Sequence, residues 1–284
     1  MSNKPSVSII IPAYNEADQI KACLAAIAKQ TVMPDEVIVV DNNSTDGTAV
    51  LARRFPFVRV LTEPRQGAVH ARNSGFDAAQ SDIIGRIDAD TIIAQNWVES
   101  VQLVFGHGGP DAASGSVTYH GMVASRLLNK VDFGLRHYLA WALGREYALQ
   151  GANMALRTAA WHRTKKLTCR QGGMHEDFDL AIHLREAGFT TIFAPAMCAS
   201  VTSRQAGSRW RDFASYVLLS SGTYARHKRI RRVVMYPVML LALVFYPVLR
   251  VLYFGYNEES DRFSIVRLFR SQREVRVNPA TYID

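Results

Sequence analysis

The chain begins with a simple alternation. Short apolar runs of five or six residues are separated by longer stretches whose apolar positions recur every three or four residues. Val7-Ser8-Ile9-Ile10-Ile11-Pro12 and Glu36-Val37-Ile38-Val39-Val40-Asp41 read as buried strands, and Val58-Arg59-Val60-Leu61 as a shorter one. Between them, Ala17 to Lys29 places Ile20, Leu24 and Ile27 on one helical face, and Gly67 to Gln80 is a second helix. Ile83 to Ile87 is a fourth strand, interrupted by Arg86. Strands that alternate with helices of this length predict βαβ crossovers and a parallel sheet. The near-continuous Ile/Val runs agree, because such strands are covered on both faces.

The polar positions at the strand ends carry the chemistry. Ile83-Ile87 ends in Asp88-Ala89-Asp90, and the second strand ends in Asp41. Residues two apart on an extended chain point the same way. Two such carboxylates repel unless water solvates them or a cation lies between them. At the carboxyl edge of an open α/β sheet they stand in the crevice where ligands bind. There they suit Mg²⁺ or Mn²⁺ shared with phosphates. A solvated Asp-rich turn is the alternative that this pair alone leaves open. No Gly-x-Gly-x-x-Gly follows the first strand, and no Gly-x-x-x-x-Gly-Lys-Ser/Thr occurs, which argues against a dinucleotide oxidoreductase and a P-loop NTPase.

Further on, residues 111–118 are a candidate strand. Residues 122–148, with Met122, Leu127, Leu128, Val131, Phe133, Leu135, Tyr138, Leu139, Trp141 and Leu143, are expected to form amphipathic helix that packs on the core. Gly151 to Arg157 is a small-residue turn entering a strand. Gly172-Gly173 precedes His175-Glu176-Asp177, and a helix from Glu176 to Ala187 is closed by Gly188. Its dipole favours ionised carboxylates at its start.

Composition narrows the setting. The 284 residues, 48% hydrophobic, suffice for one large domain with an appendage. Met1–Ser6 is polar, so no signal peptide is expected. Cys23, Cys169 and Cys198 are too scattered for a disulfide framework and are expected to be core fillers in a reducing compartment. The histidines lack His-x-x-x-His or a Cys-x-x-Cys companion, so no zinc site is expected. The net charge of +8 lies wholly in residues 200–284; residues 1–199 are balanced. The basic cluster Arg226 to Arg232 precedes an uncharged run, Val233 to Leu249, about 25 Å long as a helix against a hydrocarbon core of roughly 30 Å. Tyr236, Tyr246 and Tyr253 suit an interface, while Pro237 and Pro247 suit a kinked or surface-lying segment as well as a span. An anionic lipid surface, contacted through residues 226–256, is the expected partner rather than nucleic acid.

Six pieces occur in order: Ile11-Pro12-Ala13-Tyr14-Asn15-Glu16, Val40 to Thr48, Gly67 to Gly75, Asp88-Ala89-Asp90, Gly151-Ala152-Asn153-Met154 and His175-Glu176-Asp177. Together they resemble the family 2 glycosyltransferases, inverting enzymes of the GT-A fold. The resemblance implies a Rossmann-like, mostly parallel α/β sheet flanked by helices in a catalytic domain over residues 1–225. A hydrophobic, membrane-associating tail would fill 226–284. It implies a nucleotide-sugar site from Pro12, Tyr14, Glu16, Asp41, Arg72, Asp88 and Asp90, with Asp88 and Asp90 also the ligands of Mg²⁺ or Mn²⁺. It implies Asp177 as the general base, with Gly151, Ala152, Asn153 and Glu176 on the acceptor side. Arg204 or Arg209 is a possible diphosphate contact. The function so implied is transfer from a UDP-sugar or similar donor to a glycan or lipid-linked acceptor of the cell envelope, at the cytoplasmic face of the membrane. Processive members carry Gln-x-x-Arg-Trp; here Gln205 to Trp210 is one residue longer, so a non-processive enzyme is expected. A nucleotidyltransferase and a non-catalytic nucleotide-sugar binder are the competing classes.

Overall fold

A computed structural model of the chain describes residues 4–121, 123, 125–142, 148–169, 173–227, 233, 235–257, 260 and 262–270. Met122, Leu143, Gly172 and the basic cluster from Lys228 to Arg232 lie outside these. The contacts divide the chain into two units. One comprises residues 1–117, 147–172 and 176–201; the other comprises 118–146, 173–175 and 202–284. This partition differs from a boundary at 225, because residues 118–146 and 202–225 associate with the tail.

The first unit is built on one sheet. Its strands are β1 (Val7–Ala13), β2 (Glu36–Asp41), β3 (Val58–Thr62), β4 (Ile83–Ile87), β5 (Thr91–Ile93), β6 (Ala112–His120), β7 (Asn153–Arg157) and β8 (Thr191–Thr202). Their order is β3-β2-β1-β4-β7-β6-β8-β5. The pairs from β3 through β4 are parallel. Beyond β4, β7 runs antiparallel to β4 and β6, and β5 antiparallel to β8. The helices are α1 (Ala17–Ile27), α2 (Thr48–Ala52), α3 (Ala68–Ala78), α4 (Trp97–Val104), α6 (Thr158–Thr164) and α7 (Glu176–Glu186), with α5 (Ser125–Ala142) in the other unit.

Alternation along β1 explains why its run is unbroken. Ile9 and Ile11 join Val37, Val39, Ile20, Leu24 and Trp97 on one face. Ile10 joins Ile38, Val40, Phe76, Ile84, Trp161 and Leu180 on the other. Each fully buried aliphatic side chain contributes roughly 1.5–3 kcal/mol, so both layers fix the strand. α7 stops at Gly188, whose φ of 83° suits glycine. Its N–H donates to the Arg185 carbonyl and the next N–H to that of Leu184.

The second unit carries α8 (Trp210–Arg226) and α9 (Met235–Phe254). α9 docks by one stripe: Met239, Tyr246 and Tyr253 are buried. Tyr246 stacks on Phe213 and donates its hydroxyl hydrogen to the Ser208 carbonyl. Leu240, Leu241, Val244, Phe245, Val248 and Val251 are exposed. α5 departs from the expectation of core packing. Leu128 packs beside Tyr253, but Leu127, Val131, Phe133, Tyr138 and Trp141 are exposed. Periodicity defined an apolar face without supplying anything to cover it.

Candidate active site

The carboxyl ends of β1, β2 and β4 form the site. Asp41 stands level with Ala13, and Arg86 opposite Ile10, in the parallel register. Asp88 and Asp90 fall in the turn joining β4 to β5 rather than on the strand, with the Thr91 N–H donating to the Asp88 carbonyl at 3.0 Å. The thiol of Cys23 lies beneath them, and its pKa is pushed up, first by burial and then by the fields of Asp90, Asp88 and Glu16. Glu16 and Asp90 are buried, and Asp88 is partly exposed. An all-oxygen set of this kind fits a hard divalent cation.

The two flanking loops are tied together. Asn15, at a φ of 51°, accepts from the Thr45 N–H at 2.8 Å, and its own N–H donates to Ser44 Oγ at 3.0 Å. The Glu16 N–H donates to Thr48 Oγ1 at 2.8 Å. Asp46 Oδ1 accepts from the Thr48 N–H at 3.0 Å, starting α2. Asn42 donates to the carbonyls of Glu63 and Arg65 and accepts from the Gly67 N–H, which sets the entry to α3. Pro12 and Tyr14 are half-buried on this loop system, and Asp41 lies at its base.

Arg86 connects the carboxylates to α7. Its Nη2 donates to Asp88 Oδ1 at 3.1 Å and to Glu176 Oε1 at 2.9 Å. Burial alone would lower its pKa; Asp88 and Glu176 outweigh that, and the net shift is upward. The guanidinium stays charged inside the protein. A Cβ on Gly151 would lie 1.6 Å from Arg86 Nη1, so only glycine leaves room for it. The Gly151 N–H donates to Asp177 Oδ2 at 2.9 Å, and Asp177 Oδ1 accepts from the Phe178 N–H at 2.9 Å. Asp177 is thus held in the first turn of α7, where the dipole favours negative charge. Sequence reasoning passed over Arg86. The signal was a lone arginine inside an apolar strand two residues before Asp88.

Two expected site residues are fully buried. Arg72 has no solvent exposure; it donates to the Glu176 carbonyl and to Asn73 Oδ1 and lies over Phe76 and Trp161. Burial pushes its pKa down to about 10. In this position it braces the start of α7. Asn153 is also fully buried. Its amide donates to the carbonyls of Ser116 and Met197 at 2.9 and 2.7 Å, and its Oδ1 accepts from Trp97 Nε1 at 2.8 Å. Both amide hydrogens of that side chain are spent on the sheet. Gly151 and Ala152 remain on the turn above it, where the Ala152 carbonyl accepts from Thr91 Oγ1. His175, Arg204 and Arg209 belong to the other unit. There the His175 ring meets Tyr216 edge-on, and the His175 backbone N–H donates to Thr223 Oγ1.

Comparison with known proteins identifies the class as glycosyltransferase. The model of glycosyl transferase family 2 matches residues 8–160, more than half of the chain. The chain belongs to glycosyltransferase family 2. It is 37% identical over 125 residues to the glycosyltransferase AglE of Haloferax volcanii, a match covering 42% of this chain and 41% of that protein. The chain therefore corresponds to less than half the length of that relative. Among solved structures, the mannosyltransferase PcManGT of Pyrobaculum calidifontis, in complex with GDP-Man and Mn²⁺, superposes with a TM-score of 0.61 at 21% identity. That superposition covers 94% of this chain and 78% of that one. Residues 1–349 of TarS from S. aureus, in complex with UDP, give a TM-score of 0.55 at 15% identity over 88% of this chain and 71% of that one. At these identities the likeness establishes the GT-A fold.

Proposed function

We propose that the chain transfers a sugar from a nucleoside diphosphate sugar to a hydroxyl or phosphate acceptor, with inversion, and that a UDP-sugar is the donor to test first. One observation carries the reading. Arg86 Nη2 bridges Asp88, which follows β4, to Glu176 of α7, and the Gly151 N–H pins Asp177 at the start of the same helix. Donor-side and acceptor-side carboxylates are thereby held in one rigid frame.

In this reading Asp90, with Asp88, holds a divalent cation, which when bound would neutralise charge growing on the diphosphate. The residues of the chain do the rest. The loop of Pro12, Tyr14 and Asp41 receives the nucleoside. Asp177 takes the proton from the acceptor hydroxyl, a step typically worth about 10²–10⁴-fold. Gly151 and Ala152 line the acceptor side. Base and leaving group on opposite faces of the sugar give inversion.

The second unit supports attachment to a membrane. Tyr236–Phe254 has a mean hydropathy of 1.9 and is 17% buried. Because α9 docks by one stripe and leaves the other apolar, a segment lying in the interface accounts for it better than a free span. A lipid-linked glycan acceptor of the cell envelope at the cytoplasmic face follows from that placement.

Calorimetry with UDP-sugars and GDP-mannose tests the donor site. Affinity should collapse on adding chelator and in Asp90→Ala. Binding unchanged in both would remove the metal from the reading.

A further inference from the structure

A second cluster of ligating groups lies in the sheet unit away from the three site carboxylates. Cys169 follows α6, in the loop that leads towards Glu176; Asp179 and His183 are one turn apart on α7. One ligand atom from each, the Cys169 thiol, an Asp179 oxygen and a His183 ring nitrogen, lies within 4.8 Å of the others. His183 Nε2 stands 3.5 Å from Asp179 Oδ1. That is long for a strong hydrogen bond. It is close to the edge of a tetrahedron around an ion with ligands at about 2.0–2.1 Å.

The surroundings of these groups are those of a built site. Metal-bound histidines usually have their other ring nitrogen held by a carboxylate, and His183 Nδ1 meets Glu186 Oε2 at 3.1 Å. The second oxygen of Asp179 accepts from the Cys169 backbone N–H at 2.9 Å, which orients the first towards His183. Asp179 is fully buried.

We propose that Cys169, Asp179 and His183 supply three positions of a structural zinc site, separate from the carboxylates at the strand ends. A thiolate, an imidazole and a carboxylate match Zn²⁺ and not Mg²⁺ or Mn²⁺, which prefer oxygen alone. The site clamps the loop after α6 onto α7, two residues beyond Asp177. The ion would fix the helix that presents the carboxylates of Glu176 and Asp177. Sequence spacing hid it, because the cysteine and the histidine belong to different elements and follow no short motif.

The test uses the full-length Asp90→Ala protein, so that the strand-end site does not contribute. Elemental analysis after desalting should find about one zinc per chain. Cobalt substituted for it should give a thiolate-to-cobalt charge-transfer band in the near ultraviolet. Cys169→Ser should abolish that band, and His183→Gln should release the metal. Glu186→Gln, which removes only the outer carboxylate, should weaken zinc binding by about 10–100-fold. Zinc should raise the Tm of the parent and leave that of Cys169→Ser unchanged. Absence of retained zinc and of the cobalt band in the parent would overturn the proposal and leave Asp179 and His183 as an ion pair. A band that survives Cys169→Ser would overturn it too.

Discussion

Gly151→Ala perturbs the site by a single methyl group. Gly151 is not among the glycines with left-handed φ. Alanine there carries no backbone strain and would by itself add about 0.4–1 kcal/mol of stability through the unfolded chain. The penalty comes from crowding. The new Cβ would lie 1.6 Å from Arg86 Nη1 and 2.3 Å from Cζ. Ordinary contact needs about 3.5 Å, so the guanidinium must withdraw by roughly 2 Å or the turn must move by as much. If the guanidinium moves, Nη2 leaves both Asp88 and Glu176, now 3.1 and 2.9 Å away. A buried charge stripped of its partners costs about 3–5 kcal/mol. If the turn moves, the Gly151 N–H lets go of Asp177 Oδ2. Both relaxations loosen Asp177, and a displacement of about 1 Å in such a group costs on the order of 10²-fold in rate. Turnover measured as nucleoside diphosphate release should fall by that order. The dissociation constant of the donor, followed by calorimetry, should change far less. A Gly151→Ala enzyme with normal turnover and a normal or raised Tm would refute the role assigned to Arg86.

Other outcomes follow from the same geometry. Asn153→Leu removes the partners of Trp97 Nε1 and of two buried carbonyls, each worth about 1–3 kcal/mol, so thermal unfolding should show a loss of at least about 3 kcal/mol. Replacing Leu240, Val244 and Val248 with Gln alters the outer face of α9 and spares Met239, Tyr246 and Tyr253. The wild type should sediment with membranes and the triple variant should shift to the supernatant, with donor binding retained; a wild type soluble without detergent would contradict the membrane reading. Glu63 has its pKa lowered, chiefly by the Arg65 hydrogen bond. Its contribution to stability is complete above its unfolded-state pKa and is lost as pH falls through the lower folded value, so Glu63→Gln should flatten the acid limb of a Tm–pH profile.

The parallel half of the sheet was legible because its code is local. β1, β2 and β4 are buried on both faces and advertise this as runs rich in Ile and Val, and the acids at the ends of β2 and β4 fall at one edge by topology alone. What escaped depends on partners distant along the chain. Arg86 looked like an interruption because its second counter-ion, Glu176, comes from α7. The burial of Arg72 among Phe76, Trp161 and the start of α7 was equally invisible in the local sequence. Asn153 sits in a motif whose backbone faces the site, but its side chain turns into the sheet beneath. On α5 the spacing of Leu127, Val131, Tyr138 and Trp141 announced an apolar face, and spacing cannot say what lies against it.

The central claim is that Asp177 is the base for sugar transfer from a nucleotide donor held at the strand ends. A screen of nucleotide sugars for nucleoside diphosphate release, run in parallel on wild type and Asp177→Asn, addresses it most directly. The account predicts turnover by the wild type with at least one donor. Asp177→Asn should bind that donor normally and turn it over about 10²–10⁴-fold more slowly. Equal turnover by the two proteins, or donor binding without turnover in the wild type, would contradict it.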